Sequence, residues 1–279
     1  MSSLNTSPRV LLAGCGQLGT ELGTMLLAEG WHVFGLRRTA RQLPAEFSHL
    51  EVDLTSPVTQ TLPAVDAMVI TLTPSIQDPA GGNGYLTALR HLAAALDEIP
   101  SRVLFVSSTR VFEGAATDRA LTEADPVAPV SERGHTLVAG EQLARELFDA
   151  HIVRPAGIYG PGREMLLRKV RQHEPVQYAR RTNRIHQTDL ARTLQRLLTL
   201  DDPPPVLHAI DRTPGVLLGD VVTYIASRLD EEPPPAVEPA ETSGRVLSGD
   251  RLHHLLGTLS YPTYQHGYDQ IITAHETTL

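Results

Sequence analysis

The stretch that most constrains this chain is Val10-Leu-Leu-Ala-Gly14-Cys-Gly16-Gln-Leu-Gly19, an apolar run that breaks into G-x-G-x-x-G. Val10 to Ala13 reads as a buried strand. Thr20 to Glu29 carries the apolar spacing of a helix in Leu22, Met25 and Leu26. A glycine-rich turn between strand and helix lets backbone approach a pyrophosphate closely, while the helix N-terminus presents N–H groups to its charge. Gly14, Gly16, Gln17, Leu18 and Gly19 are therefore the candidate diphosphate-binding residues. Cys15, the one cysteine of the chain, sits inside this loop, where a small packing residue is expected rather than a nucleophile.

Beyond residue 9, apolar runs and amphipathic stretches alternate, the pattern of repeated βα units on a parallel sheet. Strands are predicted at Trp31–Leu36, near Leu50–Val52, and at Ala67–Leu72, Arg102–Ser107, His151–Arg154 and Val206–Ile210. Helices are predicted at Tyr85–Asp97, Ser131–Ala150, Asp189–Leu200, Leu217–Leu229 and Asp250–Leu256. Residues 73–84 and 155–163 read as turns, 231–244 as a proline-rich connector, and Val246–Leu247 as a further short strand. The expected architecture is an α/β fold, a doubly wound parallel sheet of the Rossmann type with a small C-terminal cap. Residues 1–155 would form the dinucleotide-binding part, and 156–279 would complete the sheet and build the substrate side.

The end of the second strand reports on the cofactor. An acidic residue there bonds the adenosine 2′-hydroxyl, whereas arginine accommodates a 2′-phosphate. Arg37 and Arg38 occupy this place, so NADP(H) is expected over NAD(H), the other reading being two solvated surface arginines. Asp53, after the third strand, is either a contact to the adenine edge or a turn cap. Thr73 follows the fourth strand and is placed beside the cofactor.

A net charge of −8 and a pI near 5.8 speak against nucleic acid or an anionic membrane as partner, and no apolar run reaches membrane-spanning length. The polar N-terminus lacks an apolar signal core, so a cytoplasmic protein is expected. The histidines lack the paired spacing of metal ligands, and no metal is expected. Residues 163–184 are basic (Arg163, Arg168, Lys169, Arg171, Arg180, Arg181, Arg184) and suit either an anionic small-molecule substrate or a solvated face.

Further stretches share an order and spacing: Asp53-Leu54, Phe105-Val-Ser-Ser108-Thr-Arg-Val-Phe112, Arg154-Pro-Ala-Gly-Ile-Tyr159-Gly-Pro-Gly162 and Arg184-Ile-His186-Gln-Thr-Asp189. With the glycine loop they resemble the extended short-chain dehydrogenase/reductase superfamily, in its sugar-nucleotide epimerase/dehydratase branch, over residues 9 to about 200. That resemblance implies a Ser or Thr after the fifth strand, here Ser108 with Thr109 beside it. It also implies a tyrosine and a lysine four residues apart on the next helix. In register, those positions hold Arg133 and Leu137. Arginine cannot shuttle a proton near neutral pH, its pKa lying above about 12, and leucine donates to nothing.

Three readings follow: an NADP(H)-dependent reductase or epimerase-like enzyme with altered acid chemistry, a nucleotide-binding regulator without turnover, and a scaffold. In the first, Arg133 polarises the substrate oxygen, Ser108 or Thr109 orients it, and water or a histidine supplies the proton of a small carbonyl or imine substrate. His186 is the candidate histidine, against a structural role for it; His135 points away from Arg133 along the helix. Tyr159 and Arg184 are expected on the substrate side, and Thr73, Ser107, Ser108, Thr109, Arg133, Tyr159 and His186 are expected to share one cleft. By the same resemblance, a homodimer is the default assembly.

Overall fold

The computed structural model describes residues 7–39, 43–77, 81–115, 118–237 and 242–277. Residues 1–6 of the polar N-terminus, 78–80 of the predicted turn and 238–241 of the predicted connector lie outside them.

Seven strands form one sheet: β1 (Arg9–Ala13), β2 (His32–Arg37), β3 (Ser48–Glu51), β4 (Ala67–Ile70), β5 (Arg102–Val106), β6 (His151–Pro155) and β10 (Val206–Ala209), in the order β10-β6-β5-β4-β1-β2-β3. The ladders run parallel, with Leu11 opposite Phe34 on one side and Met68 on the other. The chain winds outward in both directions from β1, so the order reverses between β1 and β4. In open sheets of this kind a crevice for ligands opens at that switch, at the carboxyl ends of the strands.

Burial explains why short apolar runs became central strands. Every residue of β4 and all but the first of β1 and β5 are buried, the signature of a sheet covered on both faces. One face stacks Leu11, Met68, Ile70, Val103, Phe105 and Ile152 in a cluster with Tyr85, Leu89 and Leu92 of α2 (Gly84–Ala94) and Ala144 and Phe148 of α3 (Glu132–Phe148). Each such large side chain removed from water contributes about 1.5–3 kcal/mol. Helix α1 (Gln17–Ala28) buries Leu22 and Leu26. Helices α2 and α3 begin at residues whose side chains cap them: Asn83 accepts from the Leu86 N–H, and Ser131 from the Gly134 N–H.

The chain divides into two compact units. The first holds residues 1–111, 129–153 and 194–206, the second 112–128, 154–193 and 207–279. The chain leaves the first unit after Val111 and returns to it twice, so the segments of the two units alternate along the sequence.

The second unit contains two small strand pairs. β7 (Gly157–Tyr159) runs parallel to β9 (Arg184–His186), and β8 (Arg181–Thr182) runs antiparallel to β11 (Val216–Leu217). Its core joins α4 (Met165–Arg171), α6 (Leu218–Leu229) and α8 (Tyr264–Thr277) through Leu167, Val170, Val221, Ile225, Tyr268 and Ile272. Helices α5 (Gln187–Thr199) and α7 (Asp250–Leu256) complete the set among the described residues. Helix α4, helix α8 and strands β7, β8, β9 and β11 are absent from the sequence reading. Val246–Leu247 is not a strand; Leu247 makes an isolated parallel bridge with Leu121.

Candidate functional site: a nucleotide cavity at the glycine loop

The glycine loop is tied to both neighbouring strands. Gly14 and Cys15 donate their N–H groups to the Leu36 carbonyl at 3.0 and 2.9 Å, and the Thr71 hydroxyl donates to the Gly14 carbonyl at 2.9 Å. Gly14 has φ +84°, and a Cβ there would stand 3.1 Å from the Leu72 nitrogen. Only glycine satisfies both conditions. Gly16 caps α1 without any side-chain bond to its first turn, so the positive end of the helix is offered to a ligand. A Cβ on Gly19 would meet the Cys15 sulfur at 3.2 Å. Cys15 is fully buried, and burial pushes its thiol up to about 11, which suits packing rather than nucleophilic work.

Over this loop lies a cavity of about 660 Å³ at the sheet's switch point, in the size range of small-molecule sites. Of the residues singled out from sequence, Gly14, Gly16, Arg37, Arg38, Asp53 and Thr73 line it. Gln17, Leu18 and Gly19 form the first turn of α1, with Leu18 buried beneath. Leu36, Val52, Leu54 and Ile76 supply apolar wall suited to a flat base. Arg37 is half-buried at the end of β2, and Arg38 is exposed beyond it. Asp53 is both turn cap and cavity wall. One of its oxygens accepts from the Thr55 N–H at 2.9 Å and the Thr55 hydroxyl at 2.8 Å, and these bonds hold its carboxyl below the usual carboxylate range, with Arg38 adding to the effect. Thr39, Thr55, Ser75 and Gln77 also line the cavity and were not singled out from sequence; Thr73 and Ser75 bond each other at 2.9 Å. Their signal was positional only, each lying in the loop that follows a strand's carboxyl end. The glycine cradle and the uncapped helix end fit the diphosphate of a dinucleotide.

At the end of β5, the Ser107 hydroxyl donates to Glu141 at 2.7 Å, and both residues are buried. Ser108 is partly exposed and its hydroxyl accepts from the Arg110 N–H at 3.2 Å, opening a 3-10 turn at Thr109–Phe112. Arg133 and His135 are exposed on the first turn of α3, while Leu137 is 3% exposed. The sole lysine of the chain, Lys169, has Met165 four residues before it, so no Tyr-x-x-x-Lys occurs anywhere in the sequence.

Tyr159, Arg184 and His186 lie in the second unit and do not present the open substrate side expected of them. Tyr159 stacks on Tyr268 with centroids 5.0 Å apart, and its hydroxyl donates to the Thr263 carbonyl at 3.3 Å. Burial drives that hydroxyl far above the ordinary tyrosine range, so it stays protonated. His186, 1% exposed, lies against Tyr261 at 3.8 Å and edge-on to Tyr159 at 5.2 Å, with Nδ1 accepting from the Thr188 N–H. Its surroundings are those of a core histidine, and they exclude solvent from the ring. Arg184 is buried, donates to the Thr182 hydroxyl at 2.8 Å and faces the Tyr264 ring. The rest of the basic run is a surface: Arg168, Arg171, Arg180 and Arg181 are exposed, and Lys169 pairs with Glu174.

Among the described residues, no group of His, Cys, Asp or Glu could hold a metal ion, and no helix is long and apolar enough to cross a membrane.

Residues 85–203 match the family model of the RmlD substrate binding domain. No curated protein matches the chain. Among solved structures, a protein of Methylobacillus flagellatus assigned as an NAD-dependent epimerase/dehydratase is 30% identical. It aligns over 97% of this chain and 99% of its own with a TM-score of 0.81. A functionally unknown conserved protein of Silicibacter pomeroyi is 26% identical over 96% and 99% of the two chains, with a TM-score of 0.75. MoeE5 in complex with UDP-glucuronic acid and NAD shares the fold at 21% identity, over 98% and 100% of the chains, with a TM-score of 0.76. With a parallel seven-stranded sheet, a glycine-loop cavity at its switch point and a relative aligned over nearly its whole length, this chain belongs to the NAD-dependent epimerase/dehydratase family of extended short-chain dehydrogenases/reductases.

Proposed function

We propose that the protein is an NADP(H)-binding oxidoreductase or epimerase-like enzyme acting on a small, anionic carbonyl or imine substrate with non-standard acid chemistry. The observation that carries the cofactor preference is the pair Arg37 and Arg38 in the cavity wall at the end of β2, where no acidic residue stands to receive a 2′-hydroxyl. Gly14 and Gly16 with the α1 N-terminus would hold the diphosphate, Asp53 and the apolar wall the adenosine, and the two arginines the 2′-phosphate. When bound, the dinucleotide supplies or accepts hydride.

The chain's own contribution differs from the family pattern. The Ser108 hydroxyl, with Thr109 beside it, orients a substrate oxygen, and the exposed guanidinium of Arg133 stabilises negative charge developing there. Arg133 does not transfer a proton, so water supplies it; His186 is too deeply buried to do so. Sugar nucleotides fit an anionic substrate, and MoeE5 was solved with one of them.

The test is NADPH oxidation measured against a panel of sugar nucleotides, carbonyl compounds and imines. Turnover that falls in Arg133→Ala while NADPH binding persists supports the assignment; an unchanged kcat/KM removes Arg133 from the mechanism. A second reading, a nucleotide-binding regulator without turnover, is favoured by the lack of any Tyr-x-x-x-Lys and the burial of Leu137. NADPH binding without turnover on any substrate would select it.

A further inference from the structure

The segment that follows β3 supplies Val52, Asp53, Leu54 and Thr55 to the cavity wall, and α2 supplies Ala88. His91 stands three residues beyond Ala88, on the same side of the helix. Its Nδ1 lies 2.9 Å from the Leu54 carbonyl oxygen. A carbonyl only accepts, so Nδ1 carries the proton and donates it. One turn later the Ala95 carbonyl takes the Leu62 N–H at 2.9 Å, so α2 fastens the segment again farther along. Among the described residues, His91 is not one that lines the cavity; it stands behind the wall.

Peptide geometry carries the effect of that bond forward. The Leu54 carbonyl and the Thr55 N–H belong to one planar trans unit and point in opposite directions. The Thr55 N–H donates to Asp53 Oδ1 at 2.9 Å, and the Thr55 hydroxyl donates to the same oxygen at 2.8 Å. The N–H, ahead of the hydroxyl and of Arg38, is what holds the Asp53 carboxyl below the usual carboxylate range. Turning the peptide would break the bonds at both of its ends. Leu54 is 5% exposed, so its carbonyl has little recourse to water once His91 is removed.

Resting on the assignment of this cavity to a dinucleotide, we infer that His91 is a positioning residue, acting through the Leu54–Thr55 peptide to hold the Asp53 carboxylate in the cavity wall. Both Thr55 bonds fall on Oδ1 and leave Oδ2 to accept from a donor group of the nucleotide. From His91 through the peptide to Asp53 the bonds run donor to acceptor in one sense, the arrangement in which they polarise and strengthen one another. A wall that samples other orientations binds its ligand in proportion to the fraction in the competent one. Losing one neutral hydrogen bond should therefore weaken nucleotide binding about threefold to tenfold.

The experiment pairs amide hydrogen exchange of the unliganded full chain with calorimetric titration of 5′-ADP and NADH, in wild type, His91→Ala and His91→Asn. Alanine is a better helix former than histidine, so the first variant does not weaken α2 through propensity. Asparagine keeps a side-chain N–H donor close to the backbone. In His91→Ala the Thr55 amide should exchange about threefold to tenfold faster, while the amides of Leu89 and Leu92 in α2 keep their wild-type rates. Both ligands should bind more weakly by a similar factor, and His91→Asn should restore exchange and affinity together. Unchanged Thr55 exchange in His91→Ala overturns the inference, as does faster exchange with unchanged affinity. Equal acceleration at Thr55, Leu89 and Leu92, or no restoration by asparagine, also overturns it and makes His91 a support of the helix alone. If wild type binds neither ligand, the dinucleotide assignment fails, and the Thr55 exchange comparison by itself decides the role of His91.

Discussion

Replacing Arg37 by alanine separates a phosphate-binding arginine from a surface one. Its backbone is held by the β2–β3 ladder, with Arg37 opposite Glu51 and its carbonyl accepting from the Val52 N–H at 3.1 Å, so truncating the side chain leaves the strand intact. Two unit charges 4 Å apart attract by about 4 kcal/mol near a protein surface and about 1 kcal/mol in bulk water. Half-buried Arg37 lies between these limits, at about 2 kcal/mol, which corresponds to a loss of about 30-fold in NADPH affinity. Exposed Arg38 lies near the aqueous limit, so Arg38→Ala should lose only about fivefold. NADH lacks the 2′-phosphate, and its affinity should change by less than about twofold in either variant. Parallel titrations with the two cofactors read the ratio directly. Because the Debye length is about 10 Å at 0.1 M salt, the Arg38 effect should shrink further as salt is raised. Equal losses for NADPH and NADH would refute the argument, placing the arginine on the shared diphosphate; no loss for either would make it a solvated surface charge.

Three other outcomes are expected. Gly267→Ala would set a Cβ 2.6 Å from Cζ of Tyr159, whose ring is held by Tyr268 and His186; overpacking of about 1–3 kcal/mol should exceed the helix gain of about 1 kcal/mol. Urea unfolding of a variant more stable than wild type would contradict this. Cys15, with its buried thiol held near pKa 11, should resist maleimide at pH 7.5 in the native state and react once the chain is unfolded. Asp211 is fully buried, and burial raises its carboxyl to about 6 even though it accepts from the Thr213 N–H and hydroxyl. The folded state then holds this proton more tightly than the unfolded chain. Stability should fall as pH rises from about 4 to about 6 and level off above, by on the order of 3 kcal/mol. In Asp211→Asn that decline should vanish, so the difference in unfolding free energy between the two proteins, followed across that pH range, must itself vary with pH.

Where local pattern and burial coincide, the chain was readable. β1, β4 and β5 each carry a run of four apolar residues because both faces of each are covered, and the predicted strands fall within two residues of them at either end. Arg37 was legible because its place at the end of β2 is counted along the chain from the glycine loop. Thr39, Thr55, Ser75 and Gln77 were not, since loop residues carry no periodicity and face the cavity through the path of their loops. Helix α8 left a signal that was passed over: Tyr264, Tyr268, Ile271 and Ile272 share one helical face and are all buried. Gly267 and two histidines weaken the local propensity, and packing against α6 supplies what propensity lacks.

Tyr159, Arg184 and His186 show where reading along the chain stops. Their motifs were read from sequence as a turn and an unassigned stretch, whereas they form β7 and β9, with Tyr159 opposite His186. What covers those strands is a segment about a hundred positions away: Thr263 takes the Tyr159 hydroxyl, Tyr268 its ring, and Tyr261 the imidazole of His186. Order along the chain settles strand type, the glycine turn, the charge at the end of β2 and the lack of a Tyr-x-x-x-Lys, because each depends on neighbours within a few residues. Whether a polar side chain ends in a cavity or a core depends on distant segments packing over it, and that was set by the folded chain as a whole.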